Sequence, residues 1–302
     1  MSSFCASVKR EMTELVPKKL CCRKALLMGL LYAAVSKEDK QWYTEYTMEE
    51  VAELSLSLLG SVVNTEGERQ HCYRGGKPYI GVLFRSKAVF SFLRALSAGE
   101  TAEQAALFRC DDCKGALLRG VFLSTASLTD PHKGYHLEFL LGAEQAERAQ
   151  ALFAFLSRQG FVARKAERRG RHAVYFKSNT AISDILYLTG AVRSSFDFAN
   201  ACIERDIRNN ENRATNCVAT NIAKSVDASQ KHLCAIRALQ EAHLLSGLPE
   251  ELYTTAMLRL ENEDASLAEL ALLHRPPISK SGLNHRLQRL LHYAEEHGGQ
   301  SS

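Results

Sequence analysis

Apolar residues recur at helical spacing along most of this chain, interrupted twice by short alternating runs that flank basic, glycine-containing turns. Residues 42–47 alternate like a strand, and 50–62 carries Val51, Leu54, Leu58 and Leu59 at a helical period. Arg74-Gly75-Gly76-Lys77 reads as a hairpin turn, because glycine accepts positive φ, and 86–96 closes the block as a helix. The same order returns later: a strand-like run at 135–141, an amphipathic helix at 143–158, a hairpin of 161–166 and 172–176 around Arg169-Gly170-Arg171, and a helix at 180–188. Residues 204–216 are polar and asparagine-rich with no apolar period, which fits a linker. Beyond them everything reads as helix. A long polar helical region covers 218–245, and Pro249 opens a helix to about Leu260. Ser266 with Glu269 three residues on has capping-box spacing and starts a short helix through Leu273. Pro276-Pro277 breaks the chain, and Ser279 caps a last helix through about His297, stopped by Gly298-Gly299.

The recurrence is a duplication. Cys22-Arg23-Lys24-Ala25-Leu26-Leu27-Met28-Gly29-Leu30-Leu31-Tyr32-Ala33 returns as Cys113-Lys114-Gly115-Ala116-Leu117-Leu118-Arg119-Gly120-Val121-Phe122-Leu123-Ser124. Each copy has Leu-x-Gly with a small residue four positions after the glycine, a face that lets two helix backbones approach closely. Val82-Leu83-Phe84-Arg85-Ser86 likewise matches Val174-Tyr175-Phe176-Lys177-Ser178. Phe84 follows Gly29 by 55 residues and Phe176 follows Gly120 by 56, so the two anchors keep their separation. The period of 91 residues is too long for a solenoid.

Composition adds limits. The 302 residues suffice for two domains, and a net charge of only +4 means that an anionic partner must be met by local basic patches. No apolar run reaches a membrane span, and residues 1–9 lack the features of a signal peptide. Nine cysteines, an odd number in a chain too large to need staples, read as free thiols in a reducing cytosol.

The paired Leu-x-Gly helices, each opening a helix-strand-strand-helix-strand-strand-helix copy, resemble the LAGLIDADG homing-endonuclease fold. That resemblance implies two helices at a pseudo-twofold axis, strand saddles that grip DNA, and an acidic residue near each helix end to hold a divalent metal. The matching positions here are Ala34 and Thr125, preceded by Tyr32 and Leu123. None offers the carboxylate oxygens a hard cation needs. The scaffold therefore reads as retained and the cleavage chemistry as lost, with no catalytic residue and no cofactor assigned.

The C-terminal helices read as helix, turn, recognition helix. Leu283, Leu287, Leu290 and Leu291 face inward, while Lys280, Ser281, Asn284, His285, Arg286 and Arg289 are expected to point mostly outward behind the cap Ser279. Lys280 and Arg286 suit phosphate or guanine, and Asn284 carries the donor–acceptor pair that suits adenine. Together with Arg208-Asn209-Asn210-Glu211-Asn212-Arg213-Ala214-Thr215-Asn216-Cys217 and the run from Ser279 to Leu287, these features resemble the WhiA family of bacterial proteins, from about Cys21 to Leu291. The resemblance implies a nucleoid-associated transcription regulator linked to sporulation in actinobacteria, and to cell division and chromosome segregation in Firmicutes. It also implies a last domain like sigma-factor region 4.

Two further features carry expectations. Basic hairpin tips at Arg74 and Lys77, and at Arg168, Arg169 and Arg171, offer auxiliary DNA contact, against the plainer reading of solvated turns. Cys21-Cys22 and Cys110-x-x-Cys113 precede the two motif helices, so pairing of the helices brings four thiols near one another. Four cysteines suit tetrahedral zinc, yet adjacent side chains diverge, so free thiols are the leading expectation and no metal is assigned. The fold expected is α+β: a duplicated LAGLIDADG-like domain at 1–203 (copies about 20–105 and 110–203), a linker at 204–216, and an all-α helix-turn-helix domain at 217–302 with its motif at about 265–298. The function expected is a non-catalytic, sequence-specific DNA-binding transcription regulator, cytoplasmic and nucleoid-associated. Its partners are double-stranded DNA and the transcription machinery or another regulator, with no membrane. The alternatives are a protein-interaction platform with secondary DNA contact and a divergent metal-dependent DNA nuclease.

Overall fold

A computed structural model describes residues 3–37, 41–101 and 108–297. The chain divides into two compact units, Met1–Asp206 and Ile207–Ser302. The first unit opens on a helix that the apolar pattern did not announce, α1 (Phe4–Glu14), capped by Ser3 and burying Val8, Lys9 and Met12. One copy of the repeat follows as α2 (Leu20–Leu30), β1 (Val35–Ser36), β2 (Trp42–Tyr46), α3 (Glu49–Val63), β3 (Gly67–Arg74), β4 (Lys77–Phe84) and α4 (Lys87–Ser97). The other is α5 (Asp112–Thr125), β5 (Ala126–Leu128), β6 (Leu137–Leu141), α6 (Ala146–Arg158), β7 (Arg164–Arg168), β8 (Arg171–Phe176) and α7 (Asn179–Leu188).

The duplication read in the sequence extends to topology and register. Both sheets are antiparallel, ordered β1-β2-β4-β3 and β5-β6-β8-β7. Trp42 pairs with Phe84 in one and Leu137 with Phe176 in the other. Both hairpins close on two-residue turns with two positive φ values, Gly75 and Gly76 in one, Arg169 and Gly170 in the other, which match the twist of the strands. Ser86 and Ser178 occupy the same position in each copy, and each side chain accepts the N–H of the residue three further on to start the closing helix. The expected ends of the first copy near residue 105 and of the last helix at Gly298-Gly299 lie outside the described residues.

One apolar core serves both copies, and α2 and α5 run through it. Their contact is backbone on backbone. A Cβ on Gly29 would strike the Leu117 carbonyl oxygen and sit 2.8 Å from Val121 N and 2.9 Å from Gly120 Cα; one on Gly120 would strike the Leu26 carbonyl oxygen and sit 2.6 Å from Leu30 N. The small residue four places after the second glycine contributes directly, since the Ser124 hydroxyl lies 3.1 Å from the Gly29 carbonyl oxygen.

Residues 204–216, expected as a linker, are helical and lie within α8 (Val192–Glu241), which holds no glycine or proline. The boundary between the two units falls inside this helix. All side chains from Asp206 to Asp227 are exposed. The missing apolar period thus reports the absence of a packing partner there, not of a helix. The start of α8 is fixed from α1: the Glu11 carboxylate accepts the Arg193 and Ser194 N–H groups at 3.0 and 2.9 Å, an anion on a helix N-terminus.

The second unit is all-helical. Its core gathers Ile236 and Leu239 of α8 with residues of α9 (Glu250–Glu261), α10 (Leu267–Leu273) and α11 (Lys280–His297). Ser266 and Glu269 form the expected capping box, and Ser279 accepts the Gly282 N–H at 3.0 Å to start α11. No described helix is long and apolar enough to cross a membrane.

Candidate functional site

Leu283, Leu287 and Leu290 put one face of α11 into the core, which leaves the opposite face to solvent. Ser279, Lys280, Ser281, Asn284 and His285 are all exposed at the helix start. Gln288 and His292 continue that exposed row and were missed, although their spacing of three and seven from His285 marks the same face. Arg286 is half-buried, short of the outward placement expected of it, while Arg289 is exposed. Both are held by Glu251 of α9, Arg289 at 2.5 Å and Arg286 at 3.6 Å. Arg286 directly precedes the buried Leu287, so it sits on the flank of the helix beside α9, with its side chain only 25% exposed.

Two histidines are buried in this unit. His274, in the turn before α11, is held below the usual imidazole range by burial and then by Arg286. His232 of α8 is lowered by burial and then by Arg259. Burial disfavours the charged form of each in the folded chain, so both gain protons more readily when unfolded. Their contribution to stability is therefore fully present above the ordinary value of 6.5 and is lost as pH falls from there toward the lowered folded values. Backbone hydrogen exchange of the second unit is expected to quicken as pH falls below 6.5, after correction for intrinsic rates. His232→Asn with His274→Asn should flatten that change; an equal loss of protection in the double variant would exclude these imidazoles as its source.

The hairpin tips in the first unit are partly engaged. Arg74 pairs with Glu45 and Arg168 with Glu138, each at 2.9 Å. Lys77, Arg169 and Arg171 are exposed.

The C-terminal ends of α2 and α5, where the nuclease resemblance calls for acids, are occupied by cations. The Arg148 guanidinium donates to the Ala34 carbonyl oxygen at 2.6 Å and to that of Tyr32 at 3.3 Å, while the Tyr32 hydroxyl donates back to the Arg148 carbonyl oxygen at 2.9 Å. In the second copy the Lys9 ammonium donates to the carbonyl oxygen of Leu123, the counterpart of Tyr32, at 3.1 Å. Arg148 and Lys9 are buried, and burial lowers the pKa of each. Thr125 turns its hydroxyl back to the Val121 carbonyl oxygen at 2.7 Å. A cleft of about 480 Å³ adjoins this end, lined by Lys37, Arg74, Arg171 and a single carboxylate, Glu45, which is already bonded to Arg74 and Tyr43. Three cations and one committed carboxylate do not supply the oxygen set of a hard divalent metal. Neither Lys9 nor Arg148 was legible as part of this site, because their sequence positions carry no spacing that ties them to residues 32–34 or 123.

Comparison with known proteins agrees with this architecture. The WhiA LAGLIDADG-like domain matches residues 114–208, and the WhiA C-terminal HTH domain matches residues 212–294. The chain is 38% identical over 193 residues to a "Probable cell division protein WhiA" of Alkaliphilus metalliredigens, a match covering 64% of this chain and 60% of that protein. It is 30% identical over 318 residues to the protein of the same name in Caldicellulosiruptor saccharolyticus, covering 97% of this chain and 95% of that one. The crystal structure of full-length WhiA from Thermotoga maritima shares the fold, with a TM-score of 0.54 at 22% identity over 96% of this chain and 97% of that one. A degenerate LAGLIDADG-like domain followed by a helix-turn-helix, and a relative matched over nearly its full length, lead to one assignment: the chain belongs to the WhiA family.

Proposed function

We propose that this chain is a non-catalytic, sequence-specific DNA-binding transcription regulator that acts in cell division, chromosome segregation or sporulation, in the cytoplasm and on the nucleoid. The observation that carries the reading is α11: a helix anchored by Leu283, Leu287 and Leu290 that leaves Lys280, Ser281, Asn284 and His285 uncovered at its N-terminal end. That end of a recognition helix meets base edges and phosphates in the major groove. In this reading Asn284 and His285 contact bases, while Ser279, Lys280 and Ser281 hold phosphate with the free N–H groups of the first turn. Arg286 and Arg289 brace the helix through Glu251 and reach DNA only by leaving that carboxylate. Exposed Lys77, Arg169 and Arg171 add a nonspecific electrostatic contact. The cell-division names of the relatives support the role, and cations at the former metal positions support the absence of cleavage. The first unit then serves as a platform for the transcription machinery or another regulator.

The test starts from genome-wide occupancy of the full chain, which supplies bound fragments. In shift assays at fixed salt, Asn284→Ala and His285→Ala should each weaken binding to those fragments by ~1–3 kcal/mol and blunt the preference over unrelated DNA. Their circular dichroism should match the parent, since both side chains are exposed. Undiminished preference in the double variant would remove α11 as the reader. Metal-dependent nicking of a plasmid by the parent chain would overturn the non-catalytic part.

A further inference from the structure

At the opposite ends of α2 and α5 from the former metal positions, four thiols meet. Cys21 and Cys22 lie in the first turn of α2, Cys113 lies in the first turn of α5, and Cys110 just precedes it. The divergence expected of adjacent cysteines does not occur, since the Cys21 and Cys22 sulfurs are 4.0 Å apart. The other separations are 3.3 Å for Cys22–Cys110, 3.6 Å for Cys21–Cys110, 3.6 Å for Cys110–Cys113 and 3.9 Å for Cys22–Cys113. All four sulfurs lie within 4.8 Å of one another.

These lengths fit a single four-coordinate ion. A tetrahedral Zn–S₄ centre with bonds of about 2.3 Å has sulfur–sulfur edges of about 3.8 Å. A disulfide needs a bond of about 2.05 Å, and no pair here has it. An iron–sulfur cluster sets its cysteines around several metal atoms and their bridging sulfides, so its ligand sulfurs stand further apart than these. Burial raises the Cys21 and Cys22 thiols, so a bound cation would have to draw off their protons, with help from the positive ends of the helices. Two helix N-termini converge on the sulfurs, each carrying a partial positive charge. Lys19 sits next to Leu20, 2.8 Å from Asp112, and Arg119 shares with Cys22 the lining of a neighbouring cleft of about 600 Å³. Cys22 and Cys113 are buried while Cys21 and Cys110 are half-buried, which leaves an entry path to a site that is closed once filled.

The geometry points to a structural zinc site formed by Cys21, Cys22, Cys110 and Cys113 that clamps the N-terminal ends of the two motif helices. Four protein ligands leave no open position, so the ion would hold the copies together and catalyse nothing. On binding, the four thiols give up their protons to solvent and four Zn–S bonds form, with no change of oxidation state.

The full-length chain purified without chelator should carry about one zinc per molecule. Cobalt substituted for the zinc should give the intense visible bands of a tetrahedral thiolate site. Cys21→Ser with Cys110→Ser should bring zinc below about a tenth of an equivalent. Cys234→Ser, which changes an exposed thiol outside the cluster, should leave it unchanged. Stripping the metal from the parent chain should lower its melting temperature, and zinc alone should restore it, so the result does not depend on the variant folding. Less than about a tenth of an equivalent in the parent together with a featureless cobalt spectrum overturns the proposal, as does a Cys22–Cys110 disulfide found by mass spectrometry in the parent chain as isolated under reducing conditions.

Discussion

Gly29→Ala is expected to lower the unfolding free energy of the first unit by about 3 kcal/mol, at the upper end of overpacking costs. The added methyl group meets the Leu117 carbonyl and the Val121 and Gly120 backbone, none of which can rotate away as a side chain would. The helices must separate, and separation opens gaps along the buried Leu26, Leu30, Leu117 and Val121. Gly120→Ala should cost a similar amount, because its clashes are with the Leu26 carbonyl and Leu30 N. The double variant should cost less than the two together, since one displacement relieves both. Urea titration followed by the fluorescence of Trp42, the chain's single tryptophan, measures all three. A cost below about 0.5 kcal/mol for either single variant would mean that the backbones do not touch as described.

Arg148→Ala is expected to cost about 3 kcal/mol for a different reason. It strips the Ala34 carbonyl of its 2.6 Å partner and the Tyr32 carbonyl of its guanidinium bond, and it leaves a hole beneath Trp42, whose ring lies 5.8 Å from the guanidinium. Arg148→Lys should recover part of the loss, since one ammonium can reach a carbonyl but cannot span both with a planar fork. Trp42 fluorescence of the folded variant should shift as its neighbour is removed, a local signature that a distant destabilisation would not give. An Arg148→Ala chain with unchanged urea midpoint would show that water replaces the guanidinium without loss.

The duplicated scaffold was legible because its glycines obey a packing rule visible in one dimension: close helices need small residues at fixed spacing, and Gly29 and Gly120 have them. Hairpins were legible from turn residues, and α10 and α11 from caps at Ser266 and Ser279. What escaped depended on tertiary partners. In α1 the buried Lys9 breaks its apolar stripe, and its role appears only once the Leu123 carbonyl is placed beside it. Strands β1 and β5, of two and three residues, are too short to carry a period. In α8 the polar run at 204–216 has no buried residue and so lacks the stripe by which a packed helix is recognised. The last helix was located along the chain from its cap, but the ties of Arg286 and Arg289 to Glu251 required knowing which flank α9 covers.

The backbone contact between Gly29 and Gly120 joins residues 91 apart, and this bears on how the chain is made. Synthesis releases α2 first, and its partner does not exist until α5 has emerged. Through that interval the first copy carries an open face of leucine and bare backbone where the second copy will dock. Local strands and hairpins can form at once, but the loop that brings the glycines together must close over the whole first copy before its central helix is buried. A pause in translation between the two copies would lengthen that exposure, so the half-made protein is the state most in need of a chaperone.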